Sequence, residues 1–270
     1  MSGASIRPAP QRFSRAFAQR RFESVRQHFV FYFALLMLGA TCLAWLPFAA
    51  ALRVLLPRRT GRVLGRAVIR HVWRLYFHML SALGAARFDL TELSTLRGAP
   101  PMILAPNHPT LIDAMLVASC VPRVCCIMKG DIAGNPFLGA GACLADYIVN
   151  DTPKEMIKAA LADLRRGHPL LLFPEGTRTE LKPVNPLKAG IGLVAARAGV
   201  PVQTLIVEAG SPFLAKGWPI LRKPALPLTY RVRLGRRFAP PAHDPEAVRA
   251  FIGELQAYYR TELSSEPSSR

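Results

Sequence analysis

Two short stretches of this 270-residue chain carry side chains that can do chemistry together. Asn107-His108-Pro109-Thr110-Leu111-Ile112-Asp113 places an imidazole and a carboxylate five residues apart, with a proline between them. Phe173-Pro174-Glu175-Gly176-Thr177-Arg178 is a charged turn that follows the apolar run Leu170-Leu171-Leu172-Phe173. Neutral histidine is the usual general base for a hydroxyl, and a carboxylate on its other ring nitrogen fixes the tautomer and stabilises the imidazolium that forms. In the second stretch Gly176 lets the backbone turn and approach a ligand, and Arg178 offers a planar fork suited to phosphate. Glu175 is placed to hold Arg178 or another basic group. A base with its orienting acid, plus an anion-holding loop, are the parts needed to move an acyl group onto a phosphorylated alcohol.

Each stretch alone has a plainer explanation. His108 and Asp113 at this spacing also describe a hydrogen-bonded turn histidine, and Glu175–Arg178 an ion-paired surface turn. The chain has no G-x-S-x-G elbow, and neither Ser119 nor Cys120 has the context of an activated nucleophile. Direct attack by a substrate hydroxyl is therefore the economical chemistry, without a covalent acyl-enzyme.

The surrounding pattern supplies elements to position these residues. Short apolar runs predict strands at 102–105, 124–127, 147–149, 170–173, 202–207 and 228–234. In the last, Tyr230, Val232 and Leu234 alternate with Thr229, Arg231 and Arg233, which gives one apolar and one basic face. Helices are predicted at 111–120, 153–166, 187–198 and 245–263, the second opened by a capping box of Thr152 and Glu155. Alternating strands and helices predict an α/β fold, with a mixed central sheet flanked by helices. The histidine then follows one strand and the charged turn another, where α/β folds put their ligand loops.

Ahead of this lies an N-terminal segment of different character. Residues 1–74 hold thirteen Arg against one acid, Glu23, in a chain of formal net charge +18. Such asymmetry points to a polyanionic partner, an anionic membrane or nucleic acid. Residues 29–52 contain no charged side chain, long enough as a helix to cross a bilayer. Arg flanks this run on both sides, so the positive-inside rule gives no orientation. A segment that enters one leaflet and returns, bending near Pro47, fits this pattern. A signal peptide and a buried core helix are the competing readings. Arg58, Arg62, Arg66, Arg70 and Arg74 recur every four residues, as a basic stripe at headgroup level would. No recognition helix, zinc-finger spacing or aromatic RNA-binding box accompanies them, which weighs against nucleic acid. The five cysteines form no C-x-x-C pair and read as reduced packing residues, and no metal-ligand set is visible. The expected organisation is a basic leader at 1–28, a membrane-associating helical pair at 29–85, an α/β domain at 86–262 and a disordered tail at 263–270.

At residues 85–210 the chain resembles the glycerolipid acyltransferase family typified by bacterial 1-acylglycerol-3-phosphate acyltransferase. The family's N-H-x-x-x-x-D block is matched by Asn107, His108 and Asp113, and its F-P-E-G-T-R block without a gap by Phe173 to Arg178. The resemblance implies His108 as general base and Asp113 as its partner. It places Asn107, Lys129, Glu175, Gly176, Thr177 and Arg178 around the substrate, with the last loop at the acceptor's phosphate. It implies acyl-CoA or acyl-carrier protein as co-substrate, a lysophospholipid acceptor, no cofactor or metal, no nucleic acid, and a place on the inner membrane facing the cytoplasm. Two other blocks match in part. Lys129, Pro136 and Gly139 fit the second, but its terminal basic position falls within Asn150-Asp151-Thr152. The fourth, V-P-x-x-P in the family, here reads Val200-Pro201-Val202-Gln203-Thr204. The missing base leaves the acceptor open to a non-phosphate hydroxylated lipid.

Overall fold

Each of the six predicted strands forms, and a seventh joins them. The structure, a computed structural model, describes residues 11–135 and 137–264. Residues 1–10 of the expected leader, Pro136 of the second block and residues 265–270 of the expected tail lie outside the described residues. The strands are β1 (Ala86–Asp89), β2 (Ile103–Pro106), β3 (Cys125–Met128), β4 (Ile148–Val149), β5 (Leu170–Leu171), β6 (Val202–Ala209) and β7 (Leu228–Phe238). The unexpected one, β1, has two charged residues in four and so lacks an apolar run to announce it. The sheet order is β1-β7-β6-β2-β5-β3-β4. Only β6 and β7 pair antiparallel, so the sheet is mixed.

Strand periodicity sorts side chains onto two faces. Leu104, Leu205, Val207 and Tyr230 join helices α2 (Arg58–Ala82) and α3 (Asp113–Cys120) in one apolar cluster. Ile103, Ala105, Val202 and Ile206 join α6 (Pro153–Arg165), α7 (Gly190–Ala198) and α8 (Pro245–Ser264) in the other. Thr152 caps α6 by accepting from the Glu155 N–H at 3.4 Å. Two short helices, α4 (Gly130–Ala133) and α5 (Gly139–Leu144), link β3 to β4.

One topological fact positions the chemistry. Neighbouring parallel strands β2 and β5 run in register, Ile103 opposite Leu170 and Leu104 opposite Leu171. From β2 the chain moves to β3 on one side, and from β5 it returns to β6 on the other. The loops after β2 and β5 therefore open at the same sheet end, at a switch point where such folds bind ligands.

The N-terminal segment corrects two expectations. Helix α1 (Gln11–Leu55) takes in Pro47 and continues, so the chain does not turn back there. It reverses at Leu56-Pro57, and α2 returns alongside, the Tyr76 hydroxyl donating to the Ala34 carbonyl at 3.2 Å. The Phe22–Leu55 portion is long and apolar enough to span a bilayer, with 17% of its most apolar window buried. Phe22, Val25, Phe29, Tyr32, Leu36 and Leu43 are exposed at spacings of three, four and seven, one stripe on the helix. Val30, Phe31 and Ala34 are buried.

The arginine stripe is the second correction, for its middle turns inward. Arg62 and Arg66 are 8% and 4% exposed. Arg62 pairs with Asp146 at 2.9 Å, and Arg66 with Asp163 at 3.0 Å. Arg66 also donates to the Ala145 and Arg123 carbonyls, both at 3.0 Å. A guanidinium can be buried only when its donors are met, and these carboxylates and carbonyls meet them. Gly65 makes the approach possible, since a Cβ there would lie 2.6 Å from the Ala145 nitrogen.

Candidate active site

Asn107 turns the chain out of β2 by imitating a strand residue. Its side-chain oxygen accepts from the Val207 N–H at 2.7 Å and its amide donates to the Val207 carbonyl at 3.0 Å, which extends the β2–β6 ladder. It is buried and bonded to β6, in a place that fixes where the next residue emerges.

That next residue, His108, projects at the mouth of the sheet. Its Nδ1 lies 2.8 Å from Asp113 Oδ2, at the first turn of α3. The same oxygen accepts from the Thr110 N–H at 2.8 Å, and the Thr110 hydroxyl donates to Asp113 Oδ1. An acceptor-only carboxylate makes Nδ1 the donor and leaves Nε2 with its lone pair. Asp113 is fully buried; burial pushes its carboxyl above the ordinary range, against the bonds from His108 and Thr110. The Phe173 ring stacks on the imidazole at 3.9 Å, 25° from parallel, and so restricts its rotation.

The turn after β5 is built from its acid inward. Glu175 is 1% exposed, and its partners do not include Arg178, contrary to expectation. Its Oε1 accepts from the His108 N–H at 2.9 Å and the Thr179 hydroxyl at 2.8 Å, and its Oε2 from the Asn185 N–H at 2.9 Å. Burial raises its carboxyl above the ordinary range, opposed by these donors. With the Thr179 N–H on the His108 carbonyl at 2.7 Å, Glu175 fastens the second loop to the first.

Gly176 turns at a φ of +70°, in the left-handed region that glycine tolerates. Thr177 faces Lys129, whose ammonium lies 3.4 Å from its hydroxyl. Arg178 Nη1 donates to the carbonyls of Leu214 and Ala215, at 2.9 and 3.1 Å. The Leu214 carbonyl accepts in addition from the Leu111 N–H at 3.0 Å, so one oxygen bridges both loops. Asn150 ends β4 with its N–H on the Met128 carbonyl at 2.8 Å, which puts the missing basic position beside Lys129. The Asp151 carboxylate lies over Gly130, 2.7 Å from where a Cβ would stand.

The structure thus brings His108, Asp113, Lys129, Gly176, Thr177 and Arg178 to one sheet end. Thr110, Phe173, Thr179, Asn185 and Leu214 complete it; the first two stand in the quoted motifs without an assigned role, and sequence reasoning passed over the other three. Thr110 lies inside the first motif and has a hydroxyl to signal it. Asn185 and Leu214 act through backbone groups or from distant loops, and nothing in their local sequence marks them. Ser119 donates to the Leu116 carbonyl at 2.8 Å, and burial pushes the Cys126 thiol up to about 12. Neither is poised as a nucleophile. Among the described residues no group of three His, Cys, Asp or Glu side chains can hold a metal ion.

Known proteins resemble this chain in sequence and in fold. Residues 87–208 match the sequence model of the Acyltransferase family. A 1-acyl-sn-glycerol-3-phosphate acyltransferase of Pseudomonas aeruginosa is 23% identical over 229 residues, 83% of this chain and 86% of its own length. Human 1-acyl-sn-glycerol-3-phosphate acyltransferase beta is 26% identical over 137 residues, 47% of this chain and 48% of its own. The crystal structure of the 1-acyl-sn-glycerophosphate acyltransferase PlsC from Thermotoga maritima superposes with a TM-score of 0.65 at 20% identity, over 93% of this chain and 100% of that one. At that identity the likeness speaks for the fold, a mixed sheet with flanking helices. Residues 87–208 thus carry a stretch that matches the acyltransferase family, and its two motifs meet at one sheet end.

Proposed function

We propose that this acyltransferase moves a fatty acyl group from acyl-CoA or acyl-carrier protein to the free hydroxyl of a lysophospholipid such as 1-acylglycerol-3-phosphate, with His108 as general base. The observation that carries this reading is the His108–Asp113 pair at 2.8 Å, with Nε2 left to accept a proton. The acceptor hydroxyl gives its proton to Nε2 as its oxygen attacks the thioester carbonyl carbon. The C–O bond forms, the tetrahedral intermediate collapses, and the C–S bond breaks. The departing thiolate takes the proton back from the imidazolium, whose charge Asp113 has stabilised meanwhile. Lys129 and Arg178 supply positive charge for the acceptor's phosphate. Helix α1 holds the enzyme on the anionic cytoplasmic face of the inner membrane, where both substrates with acyl chains gather. The acyl chain would lie along the apolar side of α1 and its neighbours. Phe213 stacks edge-on to Phe31 at 5.6 Å, and Phe137 approaches Gly39.

A second acceptor class has one observation in its favour. Asn150 and Asp151 stand beside Lys129 where the family pattern has a base, and a site with less positive charge admits a hydroxylated lipid without phosphate. An acceptor panel of lysophosphatidate, monoacylglycerol and amino-acid lysolipids separates the two.

The test of the base is His108→Ala, purified in defined lipid. We expect transfer to fall on the order of 10²–10⁴-fold, with vesicle binding unchanged. Retention of most activity would overturn the assignment.

A further inference from the structure

We propose that Lys188 binds the acceptor's phosphate in place of the base absent at Asn150, acting with Lys129 across the Gly176–Thr177 turn. This rests on the phospholipid reading above and assigns the residue that makes it possible in this chain.

The geometry starts from the backbone. The Lys188 N–H donates to the Pro174 carbonyl at 2.8 Å, which fixes the residue beside the turn although fourteen positions separate it from Pro174. Its side chain then crosses the open face of Gly176. A Cβ on that glycine would meet Lys188 Cγ at 3.3 Å and Cε at 3.9 Å. The ammonium is one bond beyond Cε, about 1.5 Å, and so within reach of a group bound at the turn. Gly176 therefore has two duties, the left-handed φ of +70° and room for this stem.

Charge balance around the turn points the same way. Glu175, the acid nearest in sequence, is buried and saturated by His108, Thr179 and Asn185. The Lys188 ammonium has no hydrogen bond or ion pair among the described residues. Lys129 reaches the next residue of the turn, its ammonium 3.4 Å from the Thr177 hydroxyl. Arg178 has Nη1 committed to the Leu214 and Ala215 carbonyls, which limits it as a bidentate fork. Lys216, by contrast, is paired with Glu180. Lys188 and Lys129 thus meet adjacent residues of one turn; Asp151 lies near Lys129, over Gly130, but among the described residues no acid pairs with Lys188, and this excess of positive charge suits a phosphomonoester dianion. An ammonium acts as a point charge, so a phosphate contact survives Lys→Arg better than Lys→Ala.

The experiment measures Lys188→Ala and Lys188→Arg with lysophosphatidate as acceptor and acyl-CoA as donor. Lys188 is exposed, so both variants are expected to fold as wild type, which thermal unfolding checks. We expect Lys188→Ala to raise the KM for lysophosphatidate roughly tenfold or more, the value of one charge-assisted contact, with kcat changed less than about twofold. The donor KM stays put, inhibition by dodecyl phosphate weakens in step, and Lys188→Arg restores most of the affinity. Adding Asn150→Arg to Lys188→Ala should also recover it, since position 150 lies beside Lys129. An unchanged acceptor KM, or a rise confined to the donor, overturns the proposal. A wild-type enzyme that ignores lysophosphatidate altogether instead strikes the phospholipid reading, and the proposal falls with it.

Discussion

Asp113 is costly to keep and useful for that reason. Its carboxyl is raised above the ordinary range by complete burial, so folding favours the protonated form. Stability from such a group is greatest below the unfolded value of about 3.9 and is lost as pH rises through the higher folded value. At neutral pH the ionised carboxylate therefore weighs against folding. Asp113→Asn should keep or raise stability in urea at pH 7, with the difference shrinking toward pH 4, while kcat drops on the order of 10²–10⁴-fold. A variant that lost stability and kept its rate would contradict both halves. The first motif was legible because its partners lie within one turn, and a five-residue spacing brings imidazole and carboxylate together. Glu175 was visible as a functional residue but not in its function. Its donors come from His108 and Asn185, and no local pattern says that a buried acid will tie two loops instead of facing a ligand.

At the scale of elements, α2 is held to the α/β core by charge in a dry place. Removing one partner of a buried pair typically costs about 3–5 kcal/mol, because the other charge stays behind unmet. Arg66→Ala is expected to destabilise by that amount, read from chemical denaturation, and Arg58→Ala by far less, since its side chain is 84% exposed. Burial pulls Asp163 upward, but the hydrogen bonds and charge of Arg66, with help from His168, outweigh it and hold the carboxyl below its ordinary range. Its contribution is therefore present above the unfolded value of about 3.9 and lost as pH falls through the lower folded one. Acid unfolding below about pH 4 should be shallower in Asp163→Asn. Most strands and helices were legible from period and turn chemistry. The stripe of arginines was legible as a stripe but not as a docking face. A four-residue repeat looks the same facing water, headgroups or buried carboxylates, and Asp163 lies 97 residues from Arg66.

At the scale of the whole molecule, one apolar face of α1 is left exposed among the described residues. The stripe of Phe22, Val25, Phe29, Tyr32, Leu36 and Leu43 runs opposite the residues of α1 that pack on the domain. Replacing Phe29, Leu36 and Leu43 with Ser should leave the fold intact, because these side chains are exposed, and move the protein from floated vesicles to the soluble fraction. Continued flotation of the triple variant would assign membrane attachment elsewhere. The length and apolarity of this helix could be read from composition; the direction of its bare face required the packed domain. The same packing gives the Leu214 carbonyl a wider meaning. That single oxygen joins the His108 turn to Arg178, and its neighbour Phe213 rests on Phe31 of α1. The helix is thereby packed against the segment that ties the two site loops together. Phe31→Ala should slow turnover even of a short-chain acceptor dissolved in water, where attachment to lipid confers no advantage.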